Sequence, residues 1–237
     1  MISKKLSLSC LILMQSLHAG VVVLVDLPQD VMQEIMQVAQ ESAAKVVNDV
    51  AQENKVALQF SESPYLPHIS LAFVSPDKLN NEQIKEKYAA LLPNFKKIAQ
   101  GADSIDLSEA VKSPEVNLWP GRFEMECGGS KKKNYQNLVL ALGASAALST
   151  LAEQVRGSIE TEYDITQRFP FSAHLTLGRI CEKDDQPLSP ELLASLKETL
   201  EKKIGSEVQE LPEVKVRKFM LKGDDVMSDP DFEFELK

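Results

Sequence analysis

Apolar and polar positions alternate along Ser172-Ala173-His174-Leu175-Thr176-Leu177-Gly178-Arg179, and this period of two predicts a half-buried strand. Leu175 and Leu177 take the core face, while His174, Thr176 and Gly178 share the other. Pro67-His68-Ile69-Ser70-Leu71-Ala72-Phe73 repeats the pattern, with Ile69 and Leu71 turned inward and a hydroxyl again two residues after a histidine. Two such strands, neighbours in one sheet or separated by one strand, bring two imidazoles and two hydroxyls within roughly 5 to 10 Å. That spacing suits a pocket the size of one phosphate.

The rest of the chain reads in order around these two strands. Val21–Leu27 is a β-branched run closed by Pro28 and predicts a central strand. Asp30 is expected to cap a helix through about Asn54, with Met32, Ile35, Met36, Ala39, Ala43, Val46, Val47 and Val50 as its apolar stripe. Residues 61–67 read as a loop. A helix is expected from Asp77 to about Gln100, broken near Pro93. Val116–Trp119 and Arg122–Glu126 are candidate strands around Pro120-Gly121, followed by a turn at Gly128–Asn134 and a strand Gln136–Leu142. Lys131, Lys132 and Lys133 fall at that turn and read as a solvated tip. Ser145–Glu160 is a second amphipathic helix. Ser189 and Pro190 supply the cap and first turn of a third helix, running to Gly205. Strands near Val214–Leu221 and Phe232–Leu236 close the chain. Asp224, Asp225, Asp229 and Asp231 lack EF-hand spacing and read as solvated surface. The order implies an α+β fold, two similar lobes whose antiparallel sheets line a cleft with helices outside. Residues 20–237 then form a single two-lobed domain.

Composition adds two constraints. The chain has 237 residues, 43% hydrophobic and 26% charged, with a net charge of −9. That balance argues against a grip on long nucleic acid, which needs many cationic contacts, and leaves room for a nucleotide or an RNA end. Residues 1–19 carry Lys4 and Lys5, an apolar run from Leu6 to Leu17, and Ala19 before Gly20, the layout of a signal peptide. Export to the periplasm or the medium is the expectation, with no stable membrane association once the leader is cleaved, and the mature chain is expected to be a monomer. An uncleaved anchor reaching Val25 and a later start site are the rival readings of this segment. The cysteines are Cys10, Cys127 and Cys181, without metal-type spacing. Cys127 and Cys181 read first as two buried free thiols, with a pair in an oxidising compartment as the alternative.

Apart from His18 in the leader, His68 and His174 are the only histidines, and both have a hydroxyl residue at +2. Ser and Thr make up only 26 of 237 residues, so the coincidence favours a functional pair over two structural histidines. Two imidazoles titrating near neutrality can act as base and acid on opposite sides of one phosphorus. Ser70 and Thr176 would hold the non-bridging oxygens. Neither a metal nor another cofactor is called for, because two histidines without cysteine or a His-Glu-x-x-His helix make no metal site.

These motifs, Pro67-His68-Ile69-Ser70-Leu71 and Ala173-His174-Leu175-Thr176-Leu177-Gly178-Arg179, resemble those of the 2H phosphoesterase superfamily. The second, with Arg179, is most similar to the bacterial 2′-5′ RNA ligase-like branch, which includes RNA 2′,3′-cyclic phosphodiesterases. The resemblance implies a cyclic phosphodiesterase without metal, with His68 as general acid and His174 as general base. It also implies Ser70 and Thr176 as phosphate ligands. Arg179 is either a further phosphate ligand or a strand-end surface residue. Tyr65 and Phe171 flank the motifs and are candidates to stack on a base, Phe171 also to pack in the core. A 2′,5′-phosphodiesterase, a nucleotide-binding module without turnover, and an exported structural protein are the competing readings.

Overall fold

A computed structural model describes residues 21–74, 81–107, 114–122, 124–143, 145–167, 169–208, 214–223 and 231–237. The leader 1–19, the expected helix start at Asp77, and Asp224, Asp225 and Asp229 lie outside the described residues. Two four-stranded antiparallel sheets carry the fold. The first has the order β12 (Phe232–Glu235), β11 (Lys218–Gly223), β1 (Val21–Val25), β3 (Ile69–Val74). The second has the order β2 (Leu58–Glu62), β9 (His174–Glu182), β8 (Tyr135–Ala141), β5 (Glu115–Pro120). Short ladders join β4 (Ile105–Asp106) to β10 (Lys215–Val216), and β6 (Met125–Cys127) to β7 (Ser130–Lys132).

Four helices cover the outer faces among the described residues: α1 (Gln29–Asn54), α2 (Asn81–Gly101), α3 (Ala146–Tyr163) and α4 (Pro190–Glu207). The covering is crossed. α1 leaves β1 of the first sheet but packs, with α4, on β2, β9 and β5 of the second. α3 leaves β8 of the second sheet but packs, with α2, on β3 and β12 of the first. One continuous apolar cluster therefore runs from Val21, Val23 and Val25 under the first sheet to Leu138, Leu140 and Leu175 under the second. Val22, Leu24 and Val139 are buried too, yet belong to no core cluster; they lie on the opposite sheet faces, toward the cleft.

The cap at Ser189 forms as expected, and Ser145 caps its helix in the same way, each hydroxyl accepting the backbone N–H three residues on. Asp30, in contrast, lies inside the first turn of α1, whose preceding residue is Pro28. α2 runs unbroken through Pro93. The proline sits on the solvent side, where the carbonyl it leaves without a donor is open to solvent, while Leu91 and Phe95 beside it are fully buried and hold the helix. β2 forms where a loop was expected to begin. The strands around Pro120-Gly121 do not form a hairpin: β5 pairs with β8, and β6 pairs with β7. Gly128 and Gly129 close that second hairpin at φ 62° and 77°, both positive, the requirement of a two-residue type I′ turn. Lys131 and Lys132 lie in β7, not at a tip, and the Lys132 side chain is buried with its ammonium donating to the Lys183 carbonyl. The hairpin is bound to the second sheet by a Cys127–Cys181 disulfide, Cα atoms 6.3 Å apart.

Candidate active site

The two motif strands lie in different sheets, β3 at the edge of the first and β9 inside the second, and not in one sheet as the spacing argument supposed. They still touch each other. β1 and β8 pair with them in a matching way. Leu24 opposes Ser70 and Val23 opposes Ala72, so Leu71 is an extra residue in β3. Val139 opposes Thr176 and Leu138 opposes Gly178, so Leu177 is an extra residue in β9. Each motif strand thus carries a β-bulge directly after its hydroxyl. Directly opposed residues point to the same face of a sheet. Ser70 therefore faces the cleft with Leu24, and Thr176 with Val139. The Leu177 carbonyl freed by the bulge accepts from the Gln40 side chain at 2.8 Å and from the Ser63 N–H at 2.9 Å.

The bulge decides where Arg179 points. Three residues beyond Thr176, it would face the core in a regular strand; the extra residue returns it to the cleft side, opposite Asn137 and Ser61. There it is buried below the β6–β7 hairpin. One guanidinium nitrogen donates to the Glu126 carbonyl at 3.3 Å, and Nε has no partner among the described residues.

Both histidines are held alike. His68 Nδ1–H donates to the Leu66 carbonyl at 2.8 Å, and His174 Nδ1–H donates to the Ser172 carbonyl at 2.8 Å. A carbonyl can only accept, so the proton of each neutral ring sits on Nδ1 and Nε2 keeps its lone pair. Each ring also has an aromatic at its edge. Tyr65 stands T-shaped to His68 with centroids 6.3 Å apart, and Trp119 likewise to His174 at 4.6 Å. Burial lowers both pKa values below the ordinary 6.5, against the raising effect of each backbone bond. The positive charges of His174 and Lys222 lower His68 further, so the two imidazoles feel each other. The Ser70 and Thr176 hydroxyls have no hydrogen-bond partner among the described residues.

A groove of about 700 Å³ opens between the sheets, with Ser70 and His174 in its wall. Phe171 lines it and also packs against the core; Tyr65 stays beside His68 and does not line it. Among the described residues no group of three or more His, Cys, Asp or Glu is placed to hold a metal ion, and no helix is long and apolar enough to cross a membrane. Sequence reasoning missed Trp119, Arg122, Arg156 and Lys222, all brought to the site region by the fold. Trp119 offered a signal, as a lone tryptophan in a short alternating strand. The others offered none, because which cations meet depends on how the sheets face one another.

No protein-family model and no curated relative matches the chain by sequence. Solved structures do. Usb1 of Kluyveromyces marxianus is 15% identical with a TM-score of 0.59, covering 92% of this chain and 98% of that one. The same protein with uridine monophosphate gives 0.52 at 15% identity, with the same coverage. LigT of E. coli complexed with 3′-AMP gives 0.48 at 15% identity, covering 93% and 99%. At this identity the likeness concerns the fold: the chain shares with Usb1 an α+β architecture, seen here as two four-stranded antiparallel sheets with helices outside.

Proposed function

We propose that the chain is a metal-independent phosphodiesterase that opens 2′,3′-cyclic phosphates of nucleotides or RNA ends by paired-histidine acid–base catalysis. The observation that carries the reading is the matched fixing of His68 and His174 by Nδ1, which leaves two Nε2 atoms for one phosphate. One neutral imidazole takes a proton from the attacking water as the P–O bond to water forms. The other, as imidazolium, gives its proton to the ribose oxygen that leaves phosphorus. By resemblance His68 is the acid and His174 the base. Ser70 and Thr176 donate to the non-bridging oxygens, where negative charge grows in the transition state. Depressed pKa values keep a base unprotonated at neutral pH, and the anionic phosphate restores the imidazolium needed as acid.

The test is hydrolysis of a 2′,3′-cyclic nucleotide with EDTA present. Turnover is expected in the wild type, with His68→Ala and His174→Ala each losing about a hundredfold or more. An inactive wild type, or variants that match it, would refute the reading. We propose further that the chain works outside the cytoplasm; the Cys127–Cys181 bond supports this, because such bonds persist in oxidising compartments.

A further inference from the structure

The groove beside His174 is larger than one phosphate needs, and its chemistry is one-sided. The chain has five arginines, and two of them, Arg122 and Arg156, line this groove. No carboxylate does so among the described residues, although 35 Asp and Glu give the chain its negative charge. Neither guanidinium has a carboxylate partner among the described residues. Both converge on Phe169. The Arg122 guanidinium carbon lies 3.5 Å from the ring centroid, and Arg156 donates to the Phe169 carbonyl. Gln167 donates to the Phe73 carbonyl at 3.0 Å and so ties this segment to the far end of β3. Phe73 lies three residues, or roughly 10 Å, beyond Ser70. The arginines therefore share the groove with His174 and are held by the segment that meets the far end of β3.

Two neighbouring cations without counter-charges, each presenting several N–H donors in a planar fork, match a phosphate. We propose that Arg122 and Arg156 form a second anion subsite, so that the preferred substrate carries one further phosphate beyond the one at the histidines. The identity of the first phosphate rests on the phosphodiesterase reading. The second is a phosphate one nucleoside removed, either the backbone phosphodiester of a longer chain or a terminal 5′-phosphate.

Rates are compared for a 2′,3′-cyclic mononucleotide, the same compound with a 5′-phosphate, and a dinucleotide ending in the cyclic phosphate. In the wild type, kcat/KM for at least one two-phosphate substrate should exceed that of the plain one by about tenfold or more. Arg122→Ala, at an exposed position, and the Arg122→Ala/Arg156→Ala double variant should shrink that ratio. Which substrate gains identifies the source of the phosphate. A ratio near one for both, or a preference that survives the double substitution, overturns the proposal. Trp119 is the only tryptophan and lines the groove beside His174, so its fluorescence reports binding without turnover. A nucleoside 2′,5′-bisphosphate should bind about tenfold more tightly than the 2′-phosphate, and the variants should lose the difference. Equal affinities overturn the subsite. Absent turnover with a retained affinity difference overturns the phosphodiesterase reading alone.

Discussion

Replacing Lys222 by Gln removes a positive charge that opposes protonation of His68. The His68 pKa must then rise, and the consequence depends on its role. As general acid it has to carry the proton, so the alkaline limb of the kcat/KM profile moves to higher pH and the acid limb stays. As general base it has to lack the proton, so the acid limb moves up instead. With His68 as acid, the expected outcome for Lys222→Gln is a displaced alkaline limb, measured as rate against pH beside the wild type. An acid-limb displacement would exchange the two histidines. At this scale the sequence was informative about placement: alternation put Ser70 and Thr176 on one face of their strands, and pairing with β1 and β8 turns both to the cleft. The orientation of Arg179 was not legible, since it hinges on one extra residue at Leu177 that pairing with β8 creates.

Gly178 shows what the bulged strand demands of its neighbours. A Cβ there would lie 2.4 Å from the Ser61 carbonyl oxygen and 2.7 Å from the Phe60 ring, so β2 approaches where only glycine fits. Gly178→Ala should cost about 1–3 kcal/mol of stability or more, because the obstacle is backbone, and urea unfolding would measure it. An unchanged midpoint would mean that β2 moves away freely. Elements with local signatures were legible in the same sense. Ser189 and Pro190 announced one helix, an apolar stripe announced the helix that starts after Ser145, and alternation announced β3, β8 and β9. β2 was missed because Leu58-Gln59-Phe60-Ser61-Glu62 offers only two apolar positions, and its strand exists through pairing with β9, more than a hundred residues away. The β6–β7 hairpin was misplaced for a related reason: Arg122–Glu126 alternates as well as a strand does, but β5 finds its partner in β8.

The disulfide acts on the molecule as a whole, since it closes a loop across 54 residues that contains β7, β8, α3 and most of β9. In the chain-entropy account a loop of that size is worth about 4 kcal/mol. The Cys127→Ser/Cys181→Ser variant should lose stability of that order in denaturant unfolding, and protein taken from an oxidising compartment should show neither thiol to alkylation. Free thiols at both positions would count against export. The α+β class was legible from the order of elements, whereas the assignment of strands to sheets was not, because crossed helices leave no trace in periodicity.

β1 is the first strand of the described chain and lies inside its sheet, flanked by β3 on one side and β11 on the other. During synthesis its second neighbour, β11, follows nearly two hundred residues later. The first sheet therefore cannot close until β11 has been made, and its Val21–Val25 run, buried throughout when finished, waits without one of its partners. Closure of this sheet is a late step that joins strands far apart in the sequence. A nascent chain stalled before β11 should remain open to proteases, with its histidine pair unassembled.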